Sequence, residues 1–243
     1  MADVLEPPWW TPRKAGAPRR SLSRGAIVGA ALTILRAEGI DAVSMRRVAA
    51  ELGTGPASLY AHVAHKEELL ELVFDEVAGE VPLPEPDPKR WQEQVRGLWT
   101  DTHAALARNG DIARVALGRV PLGPNALRAA EVTMSLLRAG GVPDREVAWA
   151  VDVVGLYIVA NAIEGAVYAD RQRSEQDRQA YWEQVRDHLT TVPADRFPTI
   201  AALVPAMLAG GSEERFAFGL DLIIGGLVSL SRPARSSEGM TRR

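Results

Sequence analysis

Residues 44–70 read SMRRVAAELGTGPASLYAHVAHKEELL, and the reading of this stretch decides the fold. Ser44 is a strong helix N-cap. It opens a run from Met45 to Leu52 in which Val48, Ala49 and Leu52 share one helical face. Gly53 stops that run, because glycine tolerates the left-handed backbone that ends many helices. After Thr54 and Gly55, Pro56 sits at the first turn of a second helix, where its missing N–H costs nothing. The spacing predicts that helix over Pro56 to about His62, anchored by Leu59 and Val63. A third runs from about Lys66 to Val77, with Leu69, Leu70, Val73 and Val77 on its apolar face. Two short helices across a tight Gly-containing turn make a helix-turn-helix, whose second helix enters the major groove of DNA. So short a second helix is not stable alone, and its neighbours must hold it.

Upstream, Ser23 caps a helix to Glu38 with Ile27, Ala30, Ala31, Ile34 and Leu35 on one face, and Gly39 ends it. Residues 1–22 hold four prolines with Arg13, Lys14, Arg19 and Arg20, and are expected to form a flexible basic arm. Charge follows this division. Residues 1–66 carry 9 Lys/Arg against 5 Asp/Glu, whereas the remainder carries 19 against 26, within a chain of net charge −3. A basic end on an acidic body suits contact with a polyanion at one end only.

Several residues agree in identity and spacing at once. Gly39-Ile40, Ser44, Arg46, Val48-Ala49, Leu52-Gly53, Ser58-Leu59-Tyr60, His62-Val63, Lys66 and Leu69-Leu70 together resemble the DNA-binding domain of the TetR family of transcriptional regulators. The resemblance covers about Ser23 to Val77, and its most specific part is Leu-Tyr-x-His followed four residues later by Lys. It implies DNA-facing roles for Ser44, Arg46, Ala57, Ser58, Tyr60, His62 and Lys66. The chemistry of these side chains suits the task. Ser44 sits at a helix N-terminus that can face a phosphate. Arg46 can neutralise a phosphate or bind guanine through two hydrogen bonds. Ala57 offers a methyl for thymine, Ser58 is small enough to approach base edges, and Tyr60 and His62 can donate to phosphates. Lys66 opens a helix at which family members contact the backbone. His65 is expected to be a cap residue only. The second helix departs from the family in being poor in polar groups, which leaves room for readout of DNA shape.

Beyond Val81–Pro88, whose four prolines mark a linker, only helical patterns follow. The fold class is therefore all-α. Its parts are the arm, a helix-turn-helix domain over 23–80, a ligand-binding and dimerisation domain over 89–231, and a disordered tail over 232–243. The longest pattern, Asp144 to about Asp170, is apolar on most sides and is expected to be buried in a bundle or an interface. Asp152, Asn161 and Glu164 interrupt it, so it is not read as a membrane span.

Family members pair two apolar helices with their copies. The resemblance thus implies a homodimer on a palindromic DNA operator, with Gly219, Leu220, Ile223 and Leu227 of the last helix as interface candidates. It also implies a pocket for a small-molecule effector of unknown identity. Tyr157, Asn161, Glu164 and Tyr168 recur along one helix face, and Trp99 and His103, four apart, can line the opposite wall. That stripe suits satisfied core or a helix interface equally well. The stretch from Glu214 to Asp221 further resembles the end of the ligand domain in tetracycline-repressor-type members.

The expected function is a ligand-responsive DNA-binding regulator, a repressor released from its operator by a small molecule and working in the cytoplasm. The alternative is a DNA-binding regulator controlled by a protein partner. The chain has no cysteine, which excludes disulfides and thiolate metal sites, and no phosphate-binding loop, paired-His motif or nucleophile elbow. No enzyme activity, metal or cofactor is expected.

Overall fold

The computed structural model describes residues 22–171 and 174–231, and among these it is α-helical with two 3-10 segments. The expectations for the arm and the tail fall almost wholly on residues outside this range. Three helices make the N-terminal unit: α1 (Arg24–Glu38), α2 (Met45–Glu51) and α3 (Pro56–Leu59), with a 3-10 turn at Ile40–Ala42. Their ends are built as the local sequence dictates. Ser23 Oγ accepts from Ala26 N–H at 3.2 Å, and Ser44 Oγ from Arg47 N–H at 3.1 Å. At the far end of α2, Gly53 has φ +64°, with Gly53 N–H donating to Ala50 O and Thr54 N–H to Ala49 O. That pair of bonds is a Schellman motif, and it aims the chain from α2 into α3.

The third helix of the unit, α3, is shorter than its sequence pattern. It ends at Leu59, and Tyr60 to His62 continue as a turn in which His62 N–H donates to Leu59 O at 2.9 Å. The reason lies in its anchors. Leu59 and Val63 are both sealed from solvent, and a turn between them brings both into the core.

Next, α4 (Lys66–Ala78) joins the unit to the body, packing on α1 and on the helices beyond. The body comprises α5 (Trp91–Arg108), a 3-10 segment (Gly110–Ala116), α6 (Pro124–Ala139), α7 (Asp144–Arg171), α8 (Glu175–Thr190), α9 (Pro198–Leu208) and α10 (Ser212–Ser231). A single cluster of buried side chains runs from Ile27 in α1 to Leu227 in α10, so the unit and the body share one core.

The long apolar helix expected from Asp144 onward is present as α7. In its most apolar stretch, Asp144–Val167, α7 is long and apolar enough to cross a membrane, yet only 28% of an 18-residue window is buried within the protomer. Val147, Ala150, Val154 and Ile158 face inward, while Trp149, Val153 and Leu156 are open to solvent. The helix has an inward and an outward apolar face, and a lone chain covers only the first.

Candidate nucleic-acid interface

The polar groups of the helix-turn-helix fall into two classes, occupied and free. On α2, Arg47 is occupied: its guanidinium donates to Glu38 at 2.7 Å and to Glu51 at 2.8 Å. The adjacent Arg46 is exposed, and among the described residues no ion pair or hydrogen bond engages its side chain. Two neighbouring arginines thus differ in role, one bracing the unit and the other available to a ligand. Ser44 spends an oxygen lone pair on its cap and keeps its O–H to donate.

On α3 and its following turn, Ala57, Ser58 and Tyr60 are exposed, Tyr60 by 54%, and His62 is half-buried. These positions are available because Leu59 alone turns inward. Lys66 is the first residue of α4. His65, immediately before it, is the N-cap, with Nδ1 accepting from Glu68 N–H at 3.1 Å, while Glu68 accepts from Ala64 N–H at 2.6 Å. These bonds fix the start of α4, at which Lys66 stands. The structure therefore places six of the seven DNA-facing candidates in this unit, at the cap and first turn of α2 and on α3 with its following turn, and the seventh, Lys66, at the start of α4.

The expected effector residues are only partly gathered. His103 on α5 stacks on Phe216 of α10, ring centroids 4.1 Å apart, and Phe216 stacks in turn on Tyr157 of α7 at 5.4 Å. Burial pushes the His103 imidazole below its ordinary pKa, partly opposed by Glu213, and burial raises that of the Tyr157 hydroxyl. Tyr157 donates to Phe216 O at 3.0 Å and lies 3.3 Å from Arg215 O. Trp99 is buried, Asn161 donates back to Tyr157 O on its own helix, and Glu164 is exposed. The Tyr168 side chain lies outside the described residues. Phe216, the ring that joins two helices of this stack, was not a sequence candidate; its place on the apolar stripe of α10 was the only signal.

Two clefts open elsewhere. One of about 310 Å³ lies between the N-terminal unit and the body, lined by Ile40, Lys66, Leu70, Arg114 and Leu117 among others. Another of about 210 Å³ lies between α8 and α9.

The four interface candidates on α10 lie toward the protomer's own core. Leu220 and Leu227 are 1% and 6% exposed and belong to the protomer's own core. Gly219 answers to an internal demand, since a Cβ there would stand 2.1 Å from the Tyr157 hydroxyl. Ile223 is half-buried against the same core. The face of α10 that remains outward carries Phe218 and Leu222, 63% and 61% exposed.

Residues 27–73 match the model of bacterial regulatory proteins of the tetR family, and residues 83–230 match the tetracyclin repressor-like C-terminal domain. The chain belongs to the TetR family. This TetR-family regulator is 34% identical to the HTH-type transcriptional repressor DrrR1 of Streptomyces coeruleorubidus, across 98% of its own length and 89% of that protein's. It is similar to ActR of Streptomyces coelicolor, solved in complex with actinorhodin, at 42% identity and a TM-score of 0.80, covering 86% of this chain and 97% of that one. It is also 26% identical to the class C tetracycline repressor of Escherichia coli, across 85% and 90% of the two chains. The regulator is therefore a DNA-binding protein of the ligand-responsive kind, and these relatives are regulators rather than enzymes.

Proposed function

We propose that this chain acts in the cytoplasm as a homodimeric repressor that binds a palindromic operator and leaves it when a small molecule enters the body. The observation that carries this reading is the free Arg46 beside the braced Arg47, at the mouth of a helix-turn-helix whose α3 turns only Leu59 inward. Arg46 and Ser58 read base edges, Ala57 packs on a thymine methyl, and Ser44, Tyr60, His62 and Lys66 hold phosphates.

Pairing is supported by the uncovered apolar face. Trp149, Val153 and Leu156 recur along α7, and Phe218 and Leu222 along α10, each more than half exposed. Covering such side chains is worth about 1.5–3 kcal/mol apiece before the costs of association. A second copy that covers this face places two recognition helices on one duplex. The effector region is the stack of His103, Phe216 and Tyr157 between α5, α10 and α7. Its planar rings favour a flat, conjugated effector, and the ActR complex with actinorhodin, a protein 42% identical, supports a ligand held in the body.

Selection of DNA from a random pool by the full chain tests this reading. An inverted repeat is the expected product, and a pool without enrichment would refute it.

A further inference from the structure

Asp75 is the only charged side chain in the buried class among the described residues. It lies on α4, and its partners lie on α6. Asp75 Oδ1 accepts from Asn125 N–H and from Ala126 N–H, both at 3.0 Å, and Oδ2 is 3.3 Å from Asn125 N. In return Asn125 Nδ2 donates to the Asp75 carbonyl at 2.9 Å. The first N–H groups of any helix have no partner within it. On α6 the residue before the helix is Gly123, which has no side chain to cap them. The cap is supplied instead from fifty residues upstream.

Two glycines make room for this bond set. A Cβ on Gly123 would stand 2.2 Å from Asp75 Oδ1, and one on Gly79 would stand 2.8 Å from Asn125 Nδ2. Apolar helix contacts can slide, but a carboxylate shared between two N–H groups is directional. The bond set therefore fixes α4 in angle as well as in place. Lys66 lies nine residues further up α4, about 13.5 Å along the axis, so a tilt of ~10° about Asp75 moves it by ~2 Å.

We propose that Asp75 is a positioning residue for operator binding. By capping α6 it sets the angle of α4, and with it the separation of the two recognition helices. This rests on the paired reading above. It predicts that Asp75 controls half-site spacing without touching half-site sequence.

The test is selection from a random DNA pool with the full chain and three variants. The parent should select an inverted repeat of one spacing. Asp75→Ala should select the same half-site, with its preference for that spacing over neighbouring spacings reduced at least fivefold. Gly123→Ala, which crowds the carboxylate from the other helix, should do the same and serves if the first variant does not fold. Asp75→Asn keeps an acceptor oxygen and should stay within twofold of the parent. Loss of stability alone would weaken binding at every spacing equally. The proposal is overturned if Asp75→Ala and Gly123→Ala keep the parent's spacing preference, or if the half-site sequence changes. A lone half-site selected by the parent would instead overturn the paired reading itself.

Discussion

Arg46 and Arg47 are adjacent and chemically identical, and only their surroundings separate them. Arg47 forms ion pairs with Glu38 and Glu51 on an exposed surface, where solvent screens such pairs. Arg46 forms none. Arg46→Ala should weaken operator binding about 10- to 100-fold, the loss of one good bidentate contact at 1–3 kcal/mol. Arg47→Ala should leave affinity within a few-fold, and a gel-shift titration at fixed salt compares the two. His103 carries a prediction of another kind. Its folded pKa is depressed below the ordinary 6.5 by burial, so as pH falls the unfolded chain takes up the proton first. Stability contributed by the neutral ring is complete above that value. It is lost progressively as pH falls through 6.5 toward the lower folded pKa. Thermal melts from pH 7.5 to 5.5 should therefore fall less steeply in His103→Phe, which keeps the stacked ring and removes the titration.

At the scale of the element, the turn between α2 and α3 is the most constrained piece of backbone in the N-terminal unit. Gly53 at φ +64° has open space around its missing Cβ, so Gly53→Ala costs backbone strain alone, about 1–2 kcal/mol. The melting temperature should drop by about 2–4 °C per kcal/mol, as calorimetry can measure. These elements were legible because their signals are local. Ser44, Gly53 and Pro56 each act on backbone within a few residues, and the predicted ends of α1, α2 and α4 lie within one residue of the observed ones. The end of α3 was not legible, because a turn and a further helical turn place Leu59 and Val63 in the core equally well by pattern. Which stripe of α10 turns inward was not legible for a related reason. Its stripe of Phe216, Leu220, Ile224 and Leu227 is the more regular one, and periodicity cannot say whether a stripe meets its own chain or another.

At the scale of the molecule, what joins the parts comes from contacts distant in sequence. Asp75 with Asn125, Arg36 with Asn109 and Glu80, and His103 with Phe216 pair residues 44 to 113 positions apart. No local pattern reports such pairs, and so the body was legible as a set of helices and its centre was not. The outward face of α7 and α10 carries the prediction at this scale. Leu222→Glu places a charge in the middle of that face, and sedimentation should then find a 26.3 kDa species where the parent is twice as large. Operator affinity should fall with it by more than tenfold.

The four residues of α3 have one further consequence. Since the fold asks only Leu59 of this helix, Ala57 and Ser58 can change with little penalty to the protein that carries them. A lineage can therefore drift from one operator to another by single substitutions without passing through an unfolded ancestor, and duplicated copies of such a regulator can part ways quickly.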